Sequence, residues 1–161
     1  MKAKKSTENV ANKWPVCALS STRRAARLLT QLYDSYLSEY GVEAAQFALM
    51  MMVESTTDRA QASIAQALGM DKTTLSRNLK LLRAKGWLES ERGSDGRRRS
   101  LSLTAEGKAT LAAARPGWRR AQDSLRSAMN DREWAEVLAT TESVAKAAVI
   151  ASERKVKLAK A

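Results

Sequence analysis

The hydrophobic residues of this chain recur with two different periods. Over residues 61–68 and 72–85 they return every three or four positions, which is typical of helices with one apolar face. Leu101 and Leu103 instead alternate with serines, as in a strand with one buried face. The pattern therefore predicts two helices followed by a β-hairpin between residues 61 and 104.

The segment around the two helices contains residues that begin and end helices. Asp58 and Gln61 form a capping-box pattern ahead of the first helix. Gly69 follows that helix, where a left-handed residue closes a helix at little cost. Asp71 then offers a side-chain oxygen to the free N–H groups of the next helix. One helix thus stops and another begins within about four residues, which is the spacing of a helix-turn-helix.

The second helix has an apolar face and a polar face. Leu75, Leu79 and Leu82 lie together on the first. The polar face carries six candidate DNA-binding residues: Lys72, Thr73, Thr74, Ser76, Arg77 and Lys80. Short hydroxyls and cations can bond base edges and phosphates while still letting a helix enter the major groove. A solvated amphipathic helix would show the same pattern, so this helix alone leaves both interpretations open.

The hairpin that follows favours the interpretation that this region binds DNA. Two strand-like runs, residues 87–92 and 98–103, are joined through a turn that contains Asp95. Three adjacent arginines crowd this turn: Arg97, Arg98 and Arg99. Their charges repel one another in a free hairpin, whereas a narrow, negative minor groove accepts an inserted arginine. Asp95 is expected to accept a hydrogen bond from a guanidinium and to orient the tip without touching DNA. A solvated charge run is the alternative, which the preceding helices disfavour.

These segments together resemble the MarR family of bacterial winged-helix regulators. The resemblance is carried, in order, by Leu68-Gly-Met-Asp-Lys-Thr-Thr-Leu-Ser-Arg77, Gly86-Trp-Leu88, Asp95-Gly-Arg97 and Leu103-Thr-Ala-Glu-Gly107. It implies a mainly α fold with a small β-hairpin wing, in which a winged helix-turn-helix is flanked by N- and C-terminal dimerisation helices. One departure is Glu43, which stands where the family often has a threonine as helix cap. An acidic residue at a helix start still interacts favourably with the helix dipole, so no change of fold is expected.

The flanking segments also read as helices. An apolar stripe runs through residues 19–40, and residues 44–54 are apolar nearly all round, with a methionine run expected to fill the core. After Thr104, a good helix cap, a helix interrupted near Pro116 is expected, and a final helix begins with a capping box at Asn130. One chain of this size cannot cover the apolar faces of all these flanking helices, so these faces predict a homodimer. A monomer whose helices fold back on the core is the alternative.

The expected organisation is a single domain over residues 1–161. Residues 18–55 form N-terminal helices of the dimerisation region, residues 56–104 form the winged helix-turn-helix, and residues 105–152 form the C-terminal dimerisation helices. Residues 153–161 are expected to form a flexible tail. A two-fold pair would place its recognition helices about one DNA turn apart, which predicts a pseudo-palindromic operator.

Composition agrees with this interpretation. The 161 residues are 44% apolar and carry a net charge of +11. From Lys72 to Arg99 there are nine Lys or Arg against three acidic residues, so net +6 falls on the expected DNA-binding surface. The sequence shows no signal peptide or membrane span, and its single cysteine favours the cytoplasm.

Enzymatic and cofactor chemistry are not indicated. The chain has no histidine, one cysteine, no glycine-rich phosphate loop and no carboxylate pair in an apolar context. These features disfavour a structural zinc site and a catalytic centre, so no metal, no cofactor and no enzymatic activity are expected. A winged-helix module that binds protein or RNA is a further alternative, although neither partner accounts for an arginine tip.

The resemblance also implies a sensor, whose signal is an aromatic or phenolic ligand or an oxidant. A candidate pocket for an aromatic carboxylate consists of Arg23, Tyr33, Tyr36, Tyr40 and Met51, with Arg24 and Arg27 nearby. Packing of the tyrosines in the core or dimer interface is the favoured alternative. Cys17 resembles the reactive cysteine of peroxide-sensing members, with a buried inert thiol as the favoured alternative. Repression is preferred to activation because blocking a promoter needs no further contact surface.

Overall fold

A computed structural model describes residues 17–56, 60–92 and 99–159. Its elements follow in the order α1 (Ala18–Leu37), a 3-10 turn (Ser38–Tyr40), α2 (Ala44–Ser55), α3 (Gln61–Ala67), α4 (Lys72–Ala84), β1 (Leu88–Arg92), β2 (Arg99–Leu103), α5 (Ala105–Ser127) and α6 (Asp131–Leu158). This is the predicted mainly α fold with a small hairpin. The chain separates into two compact units, one ending at Gly117 and the other beginning at Trp118.

The core of the first unit is built from the apolar sides of its helices and strands. Its fully buried side chains include Leu37, Leu49, Met50, Ile64, Leu79, Leu82, Leu101 and Leu111. Helix α2 supplies much of this core, as its nearly continuous apolar sequence predicts. Met50 is buried and Met51 and Met52 are half-buried, which agrees with the expectation that the methionines fill the core.

Two glycines end the helices of the helix-turn-helix. Gly69 has φ +61°, and the N–H groups of Gly69 and Met70 donate to the carbonyls of Gln66 and Ala65 at the end of α3. Gly86 has φ +71° and closes α4 in the same way, with Trp87 N–H donating to Leu82 O at 2.9 Å. Both ends are Schellman motifs, which need a left-handed residue just past the helix.

The start of α3 differs from the sequence prediction. The residue before the helix is Ala60, whose side chain has no oxygen to bond the free N–H groups. Asp58 lies outside the described residues, so its predicted capping box stays a prediction. Ala60 instead forms a β-bridge with Ser100 of β2, which ties the start of α3 to the hairpin.

The hairpin has the expected alternation. The strands β1 and β2 pair antiparallel with Leu88 opposite Leu103 and Ser90 opposite Leu101. Leu88, Leu101 and Leu103 are buried, whereas Ser100 and Ser102 are only half-buried. Because neighbouring residues of a strand point to opposite faces, this register places one leucine face on the core.

The start of α2 is capped by a residue of α1. Asp34 of α1 accepts a hydrogen bond from the N–H of Ala44 at 2.7 Å. The Glu43 N–H donates to Oε1 of Gln46 at 3.4 Å, which supplies the reciprocal half of a capping box. Replacement of the family's usual threonine by Glu43 therefore leaves the helix start supported, as expected.

Helix α5 begins at the predicted cap but lacks the predicted interruption. The Thr104 hydroxyl accepts from Gly107 N–H at 3.0 Å. The helix then continues through Pro116 to Ser127, so the expected break was wrong. Proline removes one backbone hydrogen bond and crowds the preceding turn. Burial of Leu111 and Ala114 on the same helix offsets that cost.

Helix α6 begins as predicted and ends later than predicted. The Asn130 side chain accepts from Glu133 N–H, and Glu133 accepts from Asn130 N–H, each at 2.9 Å. The helix continues to Leu158, so the boundary expected at residue 152 does not coincide with its end. Within the described part of the chain, no helix has the length and apolar character needed to cross a membrane.

Candidate nucleic-acid interface

Helix α4 presents the predicted polar face to solvent. Three of its four leucines, Leu75, Leu79 and Leu82, are at most 5% exposed and anchor it to the core, whereas Leu81 is 50% exposed. The six residues of the polar face, which we call the reading face, are all exposed: Lys72, Thr73, Thr74, Ser76, Arg77 and Lys80. Anchoring of one side fixes which side chains point outward. The helix therefore offers hydroxyl and cationic groups from a rigid support.

Asp71 fixes the start of the reading face. Its carboxylate accepts from the Thr74 N–H and from the Thr74 hydroxyl, each at 2.8 Å. These hydrogen bonds, the backbone one first, lower the pKa of Asp71 below its ordinary value, and the charge of Arg77 contributes in the same direction. Since the Thr74 hydroxyl proton is donated to the cap, only the oxygen of that side chain remains to accept from DNA.

Asn78 is a polar residue of α4 that the sequence interpretation did not include. It is half-buried, and its Nδ2 donates to the carbonyl of Thr74 at 2.9 Å. This bond spans one helical turn and leaves the side-chain oxygen as an acceptor. Its position four residues after Thr74 was the available signal, because residues four apart lie on one side of a helix.

The stem of the wing lies within the described residues, and its tip does not. Ser102 donates to Glu89 across the strands at 3.4 Å. Arg99 begins β2, but its side chain lies outside the described part, as do Asp95, Arg97 and Arg98 altogether. The orienting role of Asp95 and the contacts of the arginines therefore remain predictions.

The segment after α4 and the segment between β2 and α5 meet at one set of hydrogen bonds. The Thr104 hydroxyl donates to the Gly86 carbonyl at 2.6 Å, and the Thr104 N–H donates to the Trp87 carbonyl at 3.2 Å. Gly107 lies so close to Trp87 that a Cβ would fall 2.8 Å from the Trp87 carbonyl carbon. The first turn of α5 therefore packs directly against the segment that joins α4 to β1.

Lys85, at the end of α4, is held by three partners. Its Nζ donates to the Gly41 carbonyl at 2.9 Å and to Gln46 Oε1 at 3.3 Å. It also lies 4.3 Å from the centre of the Trp87 ring. Although Lys85 counts among the nine cations of the basic segment, its ammonium group points toward the corner between α1 and α2. The ammonium of this exposed residue is therefore already engaged by groups of the protein itself.

Comparisons with known proteins agree with this geometry. A model of the MarR family matches residues 40–99. The structure of the M. tuberculosis transcriptional regulator MosR in complex with DNA is 33% identical, covers 84% of this chain and 98% of that chain, and has a TM-score of 0.78. The chain belongs to the MarR family. Its relatives are transcriptional regulators, in agreement with the expectation that it is not an enzyme.

More distant members share parts of the sequence or the fold. The MarR protein of E. coli in its apo form is 21% identical, covers 81% of this chain and 98% of that chain, and has a TM-score of 0.65, which supports the fold. The HTH-type transcriptional regulator YwoH of Bacillus subtilis (strain 168) is 25% identical over 83 residues. That match spans 52% of this chain and 61% of the length of YwoH.

The residues of the predicted effector pocket are distributed over a long stretch of this MarR-family chain. Tyr33, Tyr36, Tyr40 and Met51 are half-buried, and Arg23 is exposed. Arg23 precedes Tyr33 by ten residues on α1, which is about 15 Å along the helix axis. Their Cα atoms therefore lie well apart, and binding of one small aromatic acid by both side chains stays a prediction. A small cavity of about 60 Å³ elsewhere is lined by Val53, Glu54, Ser102, Leu103 and Lys108.

Two of these tyrosines contact α5. A Cβ on Gly117 would fall 2.6 Å from Cε2 of Tyr40 and 2.7 Å from the carbonyl of Tyr36. Burial raises the pKa of the third, Tyr33. For Tyr40 the ring contact favours the packing alternative, whereas Tyr36 approaches Gly117 through its backbone only. Neither contact tests ligand binding.

Cys17 is exposed and free, so the buried inert thiol was the wrong alternative for the isolated chain. It occupies the residue before α1. Hydrogen bonds from the Ser20 backbone, then from the Ser20 side chain and the Leu19 backbone, lower the pKa of the thiol. The cause is therefore the start of the helix, since its free N–H groups stabilise the thiolate.

Proposed function

We propose that the protein is a homodimeric transcriptional regulator that binds a pseudo-palindromic site on double-stranded DNA. The observation that carries this proposal is the reading face, a continuous exposed set of hydroxyl and cationic side chains on a helix whose other side is locked into the core. Such a helix can enter the major groove with its side chains already oriented. The DNA-bound state of the 33% identical MosR supports the same use of this surface.

Dimerisation is supported by apolar surface on the flanking helices. Helix α1 exposes Leu19 and Leu28, at 65% and 55%. Helix α6 exposes Leu138 and Val149, at 53% and 57%. Apolar faces of this extent on long helices mark association surfaces, and they argue against a monomer in which these helices cover the core. A second copy of the chain would cover them and place two reading faces on one duplex.

The DNA proposal is tested by removing single cations. Arg77→Ala should reduce discrimination between the preferred site and unrelated duplex, because Arg77 lies in the middle of the reading face. Arg97→Ala and Arg99→Ala should weaken binding to both, and each should lower the salt slope by about one per lost phosphate contact. Lys146→Ala, in α6, serves as the charge-matched control. Unaltered mobility-shift affinity in the first three variants would refute the assignment.

Selection of bound sequences from a random duplex pool gives the preferred site itself. The expected result is two related half-sites about 10 base pairs apart, centre to centre, because a two-fold pair of helices meets one face of the duplex at successive turns. Recovery of a single unpaired half-site would argue against the dimer, and recovery of no preferred sequence would argue against specific DNA binding.

We further propose that the regulator responds to a signal, with repression as the default output. The expected signal is a small aromatic or phenolic ligand bound near Tyr33, Tyr36, Tyr40 and Met51. A titration of the protein–DNA complex with aromatic carboxylates tests this proposal. It is supported if the wild type releases DNA at ligand concentrations at which the Tyr36→Ala variant remains bound. If none of these ligands releases DNA, aromatic carboxylates are excluded as the signal.

Oxidation of Cys17 is the second candidate signal, and the exposed thiol with its lowered pKa favours it. A thiolate attacks a peroxide oxygen, forms sulfenic acid and releases water or alcohol. Mass spectrometry after mild peroxide, together with DNA binding by the wild type and by Cys17→Ser, provides the test. If Cys17 stays reduced while DNA binding is unchanged, this candidate fails.

A further inference from the structure

We infer that Lys85 is a positioning residue that sets the orientation of the reading face and makes no phosphate contact of its own. The inference rests on the DNA-binding function proposed above. Lys85 stands at the end of α4, in a segment whose charge suggests contact with DNA. Its ammonium nevertheless donates to two acceptors of the protein itself, so two of its three N–H groups are engaged.

The acceptors lie on a different part of the fold. Gly41 follows the 3-10 turn after α1, and Gln46 lies in the first turn of α2. Lys85 is 44 residues from Gly41 and 39 from Gln46 in the sequence. One side chain therefore joins the carboxyl end of α4 to the corner between α1 and α2. A cation is favourable there, because the carbonyls at a helix end carry partial negative charge.

The burial of Gln46 makes loss of this contact costly. Gln46 is 2% exposed, and its Oε1 accepts two hydrogen bonds of similar length, from Lys85 at 3.3 Å and from Glu43 N–H at 3.4 Å. Without the ammonium of Lys85, this buried amide oxygen would lose one of its two bonds, which costs more than loss of a solvated contact. The Trp87 ring closes the other side of the ammonium, at a distance where cation–π attraction operates.

The same corner is packed against α5. Tyr40 precedes Gly41 and lies against Gly117. The path from α5 to the end of α4 therefore runs through Tyr40, the Gly41 carbonyl and Lys85, with direct contact at each step. Loss of Lys85 should free the end of α4 to tilt while the buried leucines still hold its middle.

The variant Lys85→Met tests this, because methionine keeps an apolar stem of similar length and removes the charge. Lys80→Met is the matched control, since Lys80 lies on the reading face of the same helix. Affinity is measured for the selected site and for an unrelated duplex over a series of salt concentrations. For Lys85→Met we expect about a tenfold loss on the selected site, little change on unrelated duplex and an unchanged salt slope.

Lys80→Met should behave differently, weakening both duplexes and lowering the salt slope by about one. Lys85→Arg should restore most of the lost discrimination, because a guanidinium can donate to the same acceptors and stack on Trp87. A salt slope in Lys85→Met that falls as in Lys80→Met, or an unchanged ratio of specific to unrelated affinity, would overturn the inference.

We call the bonds of Lys85 to Gly41 and Gln46 the Lys85 clamp. Two further measurements distinguish loss of this clamp from a loss of overall stability and from failure of the proposed function. Gln46→Leu should lower specific affinity in the same way, and its combination with Lys85→Met should be less than additive; full additivity contradicts the clamp. Hydrogen exchange at the amides of Trp87 and Val42 should accelerate in Lys85→Met and not in Lys80→Met. If wild-type protein prefers no duplex, the proposed function fails, and the exchange comparison still decides whether the clamp exists.

Discussion

Gly107 and Gly117 show how a missing Cβ allows α5 to approach other segments. A side chain at Gly107 would meet the Trp87 backbone, and one at Gly117 would meet the Tyr36 backbone and the Tyr40 ring. Backbone atoms cannot rotate away as a flexible side chain does. Both positions therefore require glycine for a tertiary reason, although glycine weakens a helix by itself.

Replacement Gly107→Ala should destabilise the protein by about 1–3 kcal/mol, because the new methyl group forces α5 away from Trp87. Thermal or urea unfolding measures the change. Lys108→Ala, an exposed substitution in the same turn, should stay within about 0.5 kcal/mol of the wild type. Equal stability of Gly107→Ala and wild type would show that the two segments can separate at no cost.

Cys17 should titrate below the ordinary thiol value of 9.0, because N–H and hydroxyl groups at the start of α1 stabilise its thiolate. The thiolate is the reactive form, so the rate of alkylation should rise with pH and reach half its plateau below 9.0. Ser20→Ala removes one of the hydrogen bonds and should move the midpoint upward. Ser21→Ala is the control and should leave the midpoint unchanged. An unshifted midpoint in both variants would show that the Ser20 hydroxyl does not lower the pKa of Cys17.

At the scale of elements, the reading helix is defined by its two ends. Asp71 bonds the first free N–H groups, and Gly86 allows the last carbonyls to be satisfied. Between them the leucines hold one face to the core. A helix of 13 residues would be marginal alone, so these end contacts and the buried face decide its stability.

Removal of the cap in Asp71→Ala should lower Tm at pH 7 by about 2–4 °C. The pKa of Asp71 is depressed in the folded state, so its stabilisation is complete above the unfolded value of 3.8 and is lost as pH falls through the folded one. The difference between wild type and Asp71→Ala should therefore narrow below 3.8. Asp123→Ala, on α5, is the control; a difference that grows on acidification would contradict the assignment.

At the scale of the whole molecule, the proposed function depends on apolar surfaces that one chain leaves exposed. Helices α1 and α6 expose leucine, valine and isoleucine side chains, whereas the leucines of the hairpin and Leu75, Leu79 and Leu82 of α4 are buried. The reading face is complete within one chain. Two such faces at a fixed separation require a second copy, so affinity for a two-half-site operator should follow the dimer concentration.

Val137→Lys, on the apolar stripe of α6, should weaken self-association by about tenfold or more, because a charge would have to be buried in the interface. Ala139→Lys, which points away from that stripe, should leave association unchanged. Sedimentation over a range of concentrations measures both, and operator affinity should fall in parallel for Val137→Lys only. Equal dimer stability in the two variants would place the interface elsewhere.

Local chemistry in the sequence was enough to predict the helices, the hairpin and most of their ends. Gly69, Asp71, Thr104 and Asn130 act on neighbours a few residues away, so their roles follow from spacing alone. The exposure of the reading face also followed, because the leucine period fixes which side is buried. The interruption expected near Pro116 was wrong, since the local cost of proline is offset by burial elsewhere on α5.

The tertiary structure decided the features that join distant segments. The capping of α2 by Asp34, the contact of Gly107 with Trp87 and the bonds of Lys85 depend on where whole elements pack. A charge count groups Lys85 with the other cations of its segment, and only its distances to Gly41 and Gln46 reveal its contacts within the protein. Periodicity and capping are short-range and readable along the chain, whereas the partner of a long side chain is set by the packing of elements that the sequence separates.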